Sequence, residues 1–434
     1  MEKTTLIALV LFIINYVLMI AIPKKRVYVV MTTAILMVIL GLLPVKNVLE
    51  EIDFNVIMMI AGTMGIVALF IQSKMPELLS DIIIDKMPNL KWVILALSLF
   101  AGFISAFVDN VATVLMIVPV AIEVSKKLNV SPVKMVIAIS VASNLQGAAT
   151  LVGDTTSILL GGYADMNFMD FIFYNGKMGL FFIVQISMIV ATGVLYYIFR
   201  KDNEKVTSQE KTVVRDYFPT FLLVGVIVLL IIASLVNIPE IKFLPDTERN
   251  ISGYICMGML LLGFIVQGFR FGFPNAARVI WKDIDFNTLA LLTGLFVVIG
   301  GIKAQGVIDI ISNLFLKVGS SSVFAMYTFI TFISVIFSAF IDNIPYVATM
   351  LPVVTLIASK LQVDPTVLYF GLLSGATLGG NLTPIGASAN ITSMGILYRE
   401  GYEDLNKTFM KISVPYTLSA VFTGYILIWL IFGM

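Results

Sequence analysis

The sequence predicts an all-α polytopic membrane protein folded as an inverted repeat, with two re-entrant helical hairpins and two broken helices. Three observations carry this. The composition is strongly apolar, apolar runs of bilayer-spanning length recur along the chain, and two matched stretches each set an Asp-Asn pair inside such a run. Of the 434 residues, 59% are hydrophobic and 13% charged, with a mean hydropathy of +0.99. Soluble domains carry roughly 25% charged residues.

About 20 apolar residues suffice to cross the hydrocarbon core. Spanning helices are expected near 5–22, 27–45, 54–72, 177–199, 218–236, 251–268, 286–302 and 411–432. So many runs exclude a cleaved signal peptide as their explanation. The net charge of +1 offers no basic surface for nucleic acid. Cys256 is the sole cysteine and histidine is absent. That excludes an intrachain disulfide, thiolate metal clusters and every nucleophile that relies on a histidine base.

Three kinds of segment break the spanning pattern, once in each half. Residues 76–88 and 305–317 mix charges with apolar residues and are too short to span, as interfacial helices are. Residues 91–127 and 323–360 hold two apolar arms around "SAFVDN" and "SAFIDN". Residues 132–163 and 365–398 are interrupted by "NLQGAATLVGDTTS" and "LGGNLTPIGASAN". Clustered Gly, Thr, Asn and Pro unwind a helix, and unwound backbone at membrane depth survives only where protein or water satisfies it.

An offset of 233 residues lays Asp109 onto Asp342 and brings Ser105, Ala106, Phe107, Asn110, Val114, Pro119 and Val120 onto identical residues. Without a gap it pairs Gly147 with Gly380, Thr150 with Thr383 and Gly153 with Gly386. The chain is therefore expected to be an internal duplication: a first repeat over 1–199, a linker over 200–217 and a second repeat over 218–434. If 91–127 returns to its own side, the first half crosses five times, and an odd number inverts the second half. With Lys24–Arg26 inside, most of the 28 lysines and arginines fall in cytoplasmic segments. Both termini are then outside, in what is expected to be a prokaryotic cytoplasmic membrane.

The tips bring the chemistry. Unpaired N–H groups at the start of each second arm carry positive helix-end potential, and Asp109 and Asp342 sit at those N-caps. Capping alone would be served by asparagine. A charge at mid-bilayer costs roughly 2.5–3.5 kcal/mol even on the lenient insertion scale, so two retained aspartates favour a task that needs charge. The candidate cation- and substrate-binding residues are Asp109, Asn110, Asn144, Gly147, Thr150, Gly153 and Asp154 in the first half. In the second they are Asp342, Asn343, Gly380, Thr383, Gly386 and Asn390. Sodium is expected at the tips, on Asp109, Asn110, Asp342 and Asn343, because hard oxygen ligands suit it. Asp154 falls opposite Ala387, so the halves are unequal there.

On "NLQGAATLVGDTTS" and "DNIPYVATMLPV" the chain resembles the ion-transporter superfamily, and within it the ArsB/NhaD/P-protein-like permeases, related to the divalent anion/sodium symporters. The likeness covers nearly the whole chain. It implies a homodimer whose transport unit slides against a scaffold in an elevator movement. It also aligns Asp109-Asn110-Val111 and Asp342-Asn343-Ile344 with the Ser-Asn-Thr tips of the sodium-coupled dicarboxylate branch. Here each tip has two hydroxyl residues replaced and one negative charge added.

These features lead to the expectation of a secondary active transporter, not an enzyme, that needs no cofactor beyond sodium or protons as coupling ion. Its plainest form is a sodium/proton antiporter in the lipid bilayer moving a small ion. The alternative is a coupled permease for a small anionic solute, a di- or tricarboxylate or arsenite. An intramembrane aspartyl protease is the remote reading.

Overall fold

The computed structural model describes residues 2–206, 212–236, 238–241, 244–319 and 322–434. Part of the expected 200–217 linker, residues 207–211, lies outside the described residues. Among those described, helices dominate, with one two-stranded hairpin pairing Phe173–Tyr174 with Lys177–Met178.

Eight of the described helices are long and apolar enough to cross a bilayer. They are Lys3–Ala21, Phe54–Gln72, Leu180–Ile198, Phe218–Leu235, Thr247–Phe271, Phe286–Ala304, Asn343–Leu361 and Leu405–Phe432. At 1.5 Å per residue, 19 residues reach about 28 Å, close to the thickness of the hydrocarbon. Val17, Phe221, Leu235, Phe269 and Ile426 are exposed on their outer faces. Such an apolar exterior suits acyl chains, since a helix pairs its interior N–H and C=O groups within itself.

The two "DFN" stretches do the same local work in both halves. Asp53 accepts from Val56 N at 3.0 Å to start Phe54–Gln72, and Asp285 accepts from Asn287 N and Thr288 N at 3.0 and 3.1 Å to start Phe286–Ala304. Each helix then turns through a left-handed residue, Lys74 at φ 62° or Gly306 at φ 69°. The short amphipathic helices Met75–Asp85 and Val307–Gly319 follow.

Several elements differ from expectation. Asn343–Leu361, read as a hairpin arm, is long enough to span, whereas the span read over 27–45 is Arg26–Ile39, too short at 14 residues to be among the eight. It stops because Gly41 adopts φ 70° and lets the Leu42 and Leu43 N–H groups bond back to Met37 O, with Pro44 next. Residues 269–285, between the spans expected at 251–268 and 286–302, contain the helix Phe273–Asp283, opened by Gly272 at φ 89°.

The interrupted segments form matched sets. Leu90–Ser105 packs on Asn110–Lys127, and Val323–Ser338 on Asn343–Leu361, each pair joined through an Asp-Asn tip. Val133–Gln146 breaks before Thr155–Tyr163, and Thr366–Gly379 breaks before Ser388–Arg399.

The halves also exchange elements. Arg26–Ile39 packs on Phe286–Ala304, while Thr247–Phe271 packs on Phe54–Gln72. Inside, Thr155–Tyr163 packs on Asn343–Leu361, while Ser388–Arg399 packs on Asn110–Lys127. Reciprocal contacts of this kind are those of an isologous, two-fold-like interface.

Glycine permits the closest of these approaches. A Cβ on Gly62 would stand 2.6 Å from the Cys256 carbonyl carbon and 2.8 Å from its oxygen. Small residues let membrane helices meet in this way. Gly62→Ala is expected to lower stability by about 1–3 kcal/mol, since backbone atoms cannot step aside. Gly258→Ala, with nothing within 4 Å, should be neutral. Thermal unfolding in detergent checks both.

Candidate functional site

At the first tip, Asp109 caps the second arm by accepting from Val111 N at 3.0 Å and Ala112 N at 3.1 Å. Asn110 turns inward, buried, accepting from Ser105 Oγ at 2.7 Å and donating to Asn144 Oδ1 at 3.3 Å. Ser143 Oγ lies 3.1 Å from the Asn110 carbonyl. Thr150 Oγ1 donates to the Ala106 carbonyl, so the break in the neighbouring helix is stapled to the tip. Three carbonyl oxygens then converge on Gly153. A Cβ there would stand 2.9 Å from Gly147 O, 3.0 Å from Ala106 O and 3.2 Å from Ser105 O.

The second half builds the same cradle. Thr383 Oγ1 donates to the Ala339 carbonyl. A Cβ on Gly386 would stand 2.6 Å from Gly380 O, 2.7 Å from Ser338 O and 2.9 Å from Ala339 O. Asn390 Nδ2 donates to Gly380 O at 3.3 Å, where Ser157 Oγ serves Gly147 O at 2.9 Å in the first half. Polar bonds tie the cradles together: Asn144 Nδ2 donates to Thr377 O at 2.9 Å, and Ser140 Oγ to Asn390 Oδ1 at 2.7 Å.

Asp154 sits where the halves meet. It is 6% exposed. Its Oδ1 accepts from Thr155 N at 2.8 Å, and its Oδ2 accepts from Thr156 Oγ1 at 2.9 Å and from Asn343 Nδ2 of the second tip at 3.1 Å. Among the described residues, neither Asp154 nor Asp109 forms an ion pair. Asp342 differs. It accepts from Ile344 N at 3.1 Å as its counterpart does, but it is also ion-paired with Arg26. The repeat presents the tips as equivalent, whereas the structure gives one an arginine partner and leaves the other without one.

A cavity of about 420 Å³ opens between these elements. Asp109, Asn110, Asn144, Asp154 and Asn343 line it, together with Arg26, Lys282, Asp283 and Asp285. A recess of about 10 Å³ runs between Asp109 and Asp154, beside Thr63 and Thr155. That is roughly one water-sized probe. Gly147, Thr150 and Gly153 in the first cradle, Gly380, Thr383, Gly386 and Asn390 in the second, and Asp342 do not line this cavity.

Sequence reasoning missed Arg26, which reads as a loop residue, and Thr156, whose hydroxyl holds Asp154. It passed over Ser105 and Ser338 as cradle residues, although both stand in the duplicated "SAF" stretch.

Apolar helices wrapped around a buried, carboxylate-lined cavity built from two exchanged halves define a membrane transporter. The chain belongs to the citrate transporter family, which it matches over residues 16–267 and 248–434. It is 28% identical over 436 residues to an uncharacterized transporter of Mycobacterium tuberculosis, covering 96% of this chain and 97% of that protein. It is 25% identical over 451 residues to the P protein of Homo sapiens, covering 85% of this chain and 52% of that one, so it spans about half of the P protein. The Alcanivorax borkumensis YdaH transporter shares the fold at a TM-score of 0.58 and 15% identity, covering 99% of this chain and 98% of that one. The protein is accordingly a secondary transporter of a permease superfamily and not an enzyme, as the sequence led one to expect.

Proposed function

We propose that this transporter couples sodium or proton movement to its stroke through Asp154 and Asp109, most plainly as a sodium/proton antiporter. One observation carries the reading: a buried carboxylate at the meeting of both halves, with neutral donors around it and, among the described residues, no basic partner. Such a charge is expensive in the membrane and is functional by default. A proton or a small hard cation is what neutralises it, and the carbonyl, serine and asparagine oxygens nearby are ligands of the kind sodium prefers.

The reciprocal packing of matched elements supports an inverted repeat with re-entrant tips. An elevator stroke and a homodimer rest on resemblance to the superfamily. Arg26 and Lys282 stand in segments that the distribution of basic residues assigns to the cytoplasm, so this conformer reads as open inward.

In proteoliposomes an imposed sodium gradient is expected to shift internal pH, and Asp109→Asn to weaken the response about tenfold or more. A response indifferent to that change counts against the proposal.

A second reading is supported by the family's description and by Arg26 and Lys282 on the cavity wall: a cation-coupled permease for citrate or a similar anion. The cavity lies within the roughly 300–1,000 Å³ usual for small-molecule sites. Competition with succinate, citrate and arsenite, each with and without sodium, separates the readings. Citrate displacement that strengthens in sodium favours the second.

A further inference from the structure

We propose that Arg26 is a tethered counter-ion that competes with sodium for Asp342, and so sets how readily the second tip takes up a cation. The proposal rests on the cation-coupled reading above.

Asp342 is committed on both oxygens. Oδ1 caps Ile344 N at 3.1 Å, while Oδ2 takes Arg26 Nη1 and lies 3.4 Å from Ser388 Oγ. The arginine comes from the far end of the chain and from a different helix, Arg26–Ile39, which packs on Phe286–Ala304, a helix that also packs on Asn343–Leu361. A second bond fastens the same hairpin to the same N-terminal helices: Tyr16 Oη donates to Pro345 O at 2.6 Å. Among the described residues the first hairpin has no such hold, and position 26 falls opposite Met259 at the repeat offset. The duplication therefore left two acidic tips, and a single guanidinium covers one of them.

Arg26 also has somewhere to go. Asp283 and Asp285 stand in the wall of the same cavity as Arg26, which Lys282, Asp109 and Asp154 also line. Asp285 is occupied in capping, accepting from Thr288 Oγ1 at 2.7 Å and from the Asn287 and Thr288 N–H groups. Its charge nevertheless remains available as a second anchor. An arginine that leaves Asp342 for this wall opens an oxygen cluster, made of Asp342, Ser388 and tip backbone, to an incoming cation.

A site filled by its own counter-ion most of the time binds an external cation more weakly, by the fraction of time it is free. An ion pair formed about nine-tenths of the time weakens sodium about tenfold.

The test is a sodium titration of the purified full-length protein, choline replacing sodium at constant ionic strength and pH, read by thermal unfolding. Arg26→Gln is expected to reach half-saturation at about tenfold lower sodium than the wild type, and the gain should vanish in the Arg26→Gln/Asp342→Asn double variant. Arg26→Lys keeps the charge without the planar fork and should fall between. It decides the matter if Arg26→Gln does not accumulate in folded form, and a lysine variant indistinguishable from wild type then overturns the proposal. Equal half-saturation in Arg26→Gln and wild type overturns it while leaving cation coupling intact. Absence of any sodium response in all of them overturns it too, and leaves the proton arm of the coupling to the proteoliposome flux experiment.

Discussion

Asp154→Asn is expected to reduce ion-driven transport by at least about 100-fold, equivalent to about 2.7 kcal/mol of lost cation binding, in a protein that still folds. The carboxylate's neighbours are neutral donors: Thr155 N, Thr156 Oγ1 and Asn343 Nδ2. An asparagine oxygen in the place of Oδ1 keeps the Thr155 N–H bond, and its amide in the place of Oδ2 can donate to the Thr156 hydroxyl, which also accepts. That amide then faces the Asn343 amide, and that clash is relieved by turning Asn343 over, since an amide can present either face. Folding loses little, because removing a buried charge also removes its desolvation cost. Thermal stability equal to or above wild type with transport gone is the expected pair of results, measured by unfolding in detergent and by flux in liposomes. Unaltered flux would show that the charge at the junction of the halves takes no part in coupling.

The second large effect is expected at the two cradle glycines. On Gly153 and Gly386 an added methyl meets three carbonyl oxygens, the shortest approaches being 2.9 Å and 2.6 Å. Backbone oxygens cannot swing away as a flexible side chain can, so the tip and the break must separate. Gly153→Ala and Gly386→Ala should each cost about 1–3 kcal/mol of stability and abolish transport. Gly395→Ala, where nothing lies within 4 Å, should leave both unchanged. Unfolding temperatures and flux, measured on the same preparations, check this. If the glycine variants lose stability and keep transport, the cradles are packing devices only.

Much of this arrangement was legible in the sequence. The tips announce themselves because "SAF" and Asp-Asn recur at one offset in otherwise apolar runs, and the breaks because Gly, Thr and Asn cannot sustain a helix there. Cradle geometry follows from the same letters: Thr150 and Thr383 occupy matched positions and make the same bond.

What escaped was whatever crosses between the halves. Arg26 lies 316 residues from Asp342. It sits beside two lysines that mark a cytoplasmic loop, so composition hides its pairing. Asp154 carried little weight because its repeat partner is Ala387, yet that inequality follows from its place at the junction, where it reaches Asn343 of the other half. Repeat alignment favours symmetric residues by construction and undervalues a residue at the shared centre. The early end of Arg26–Ile39 was hidden for another reason: Leu40, Leu42 and Leu43 continue the apolar run past a turn that only Gly41's φ reveals.

The central claim is that a cation lodges at the carboxylates between the two tips and is exchanged across the membrane. Purified protein in liposomes, loaded with a pH-sensitive dye and given a sodium gradient against choline, tests it most directly. The account expects a sodium-dependent change of internal pH, or of solute uptake from a panel that includes citrate, which disappears in Asp154→Asn. Solute uptake that ignores both sodium and pH gradients, or persists in full without the Asp154 charge, would contradict it.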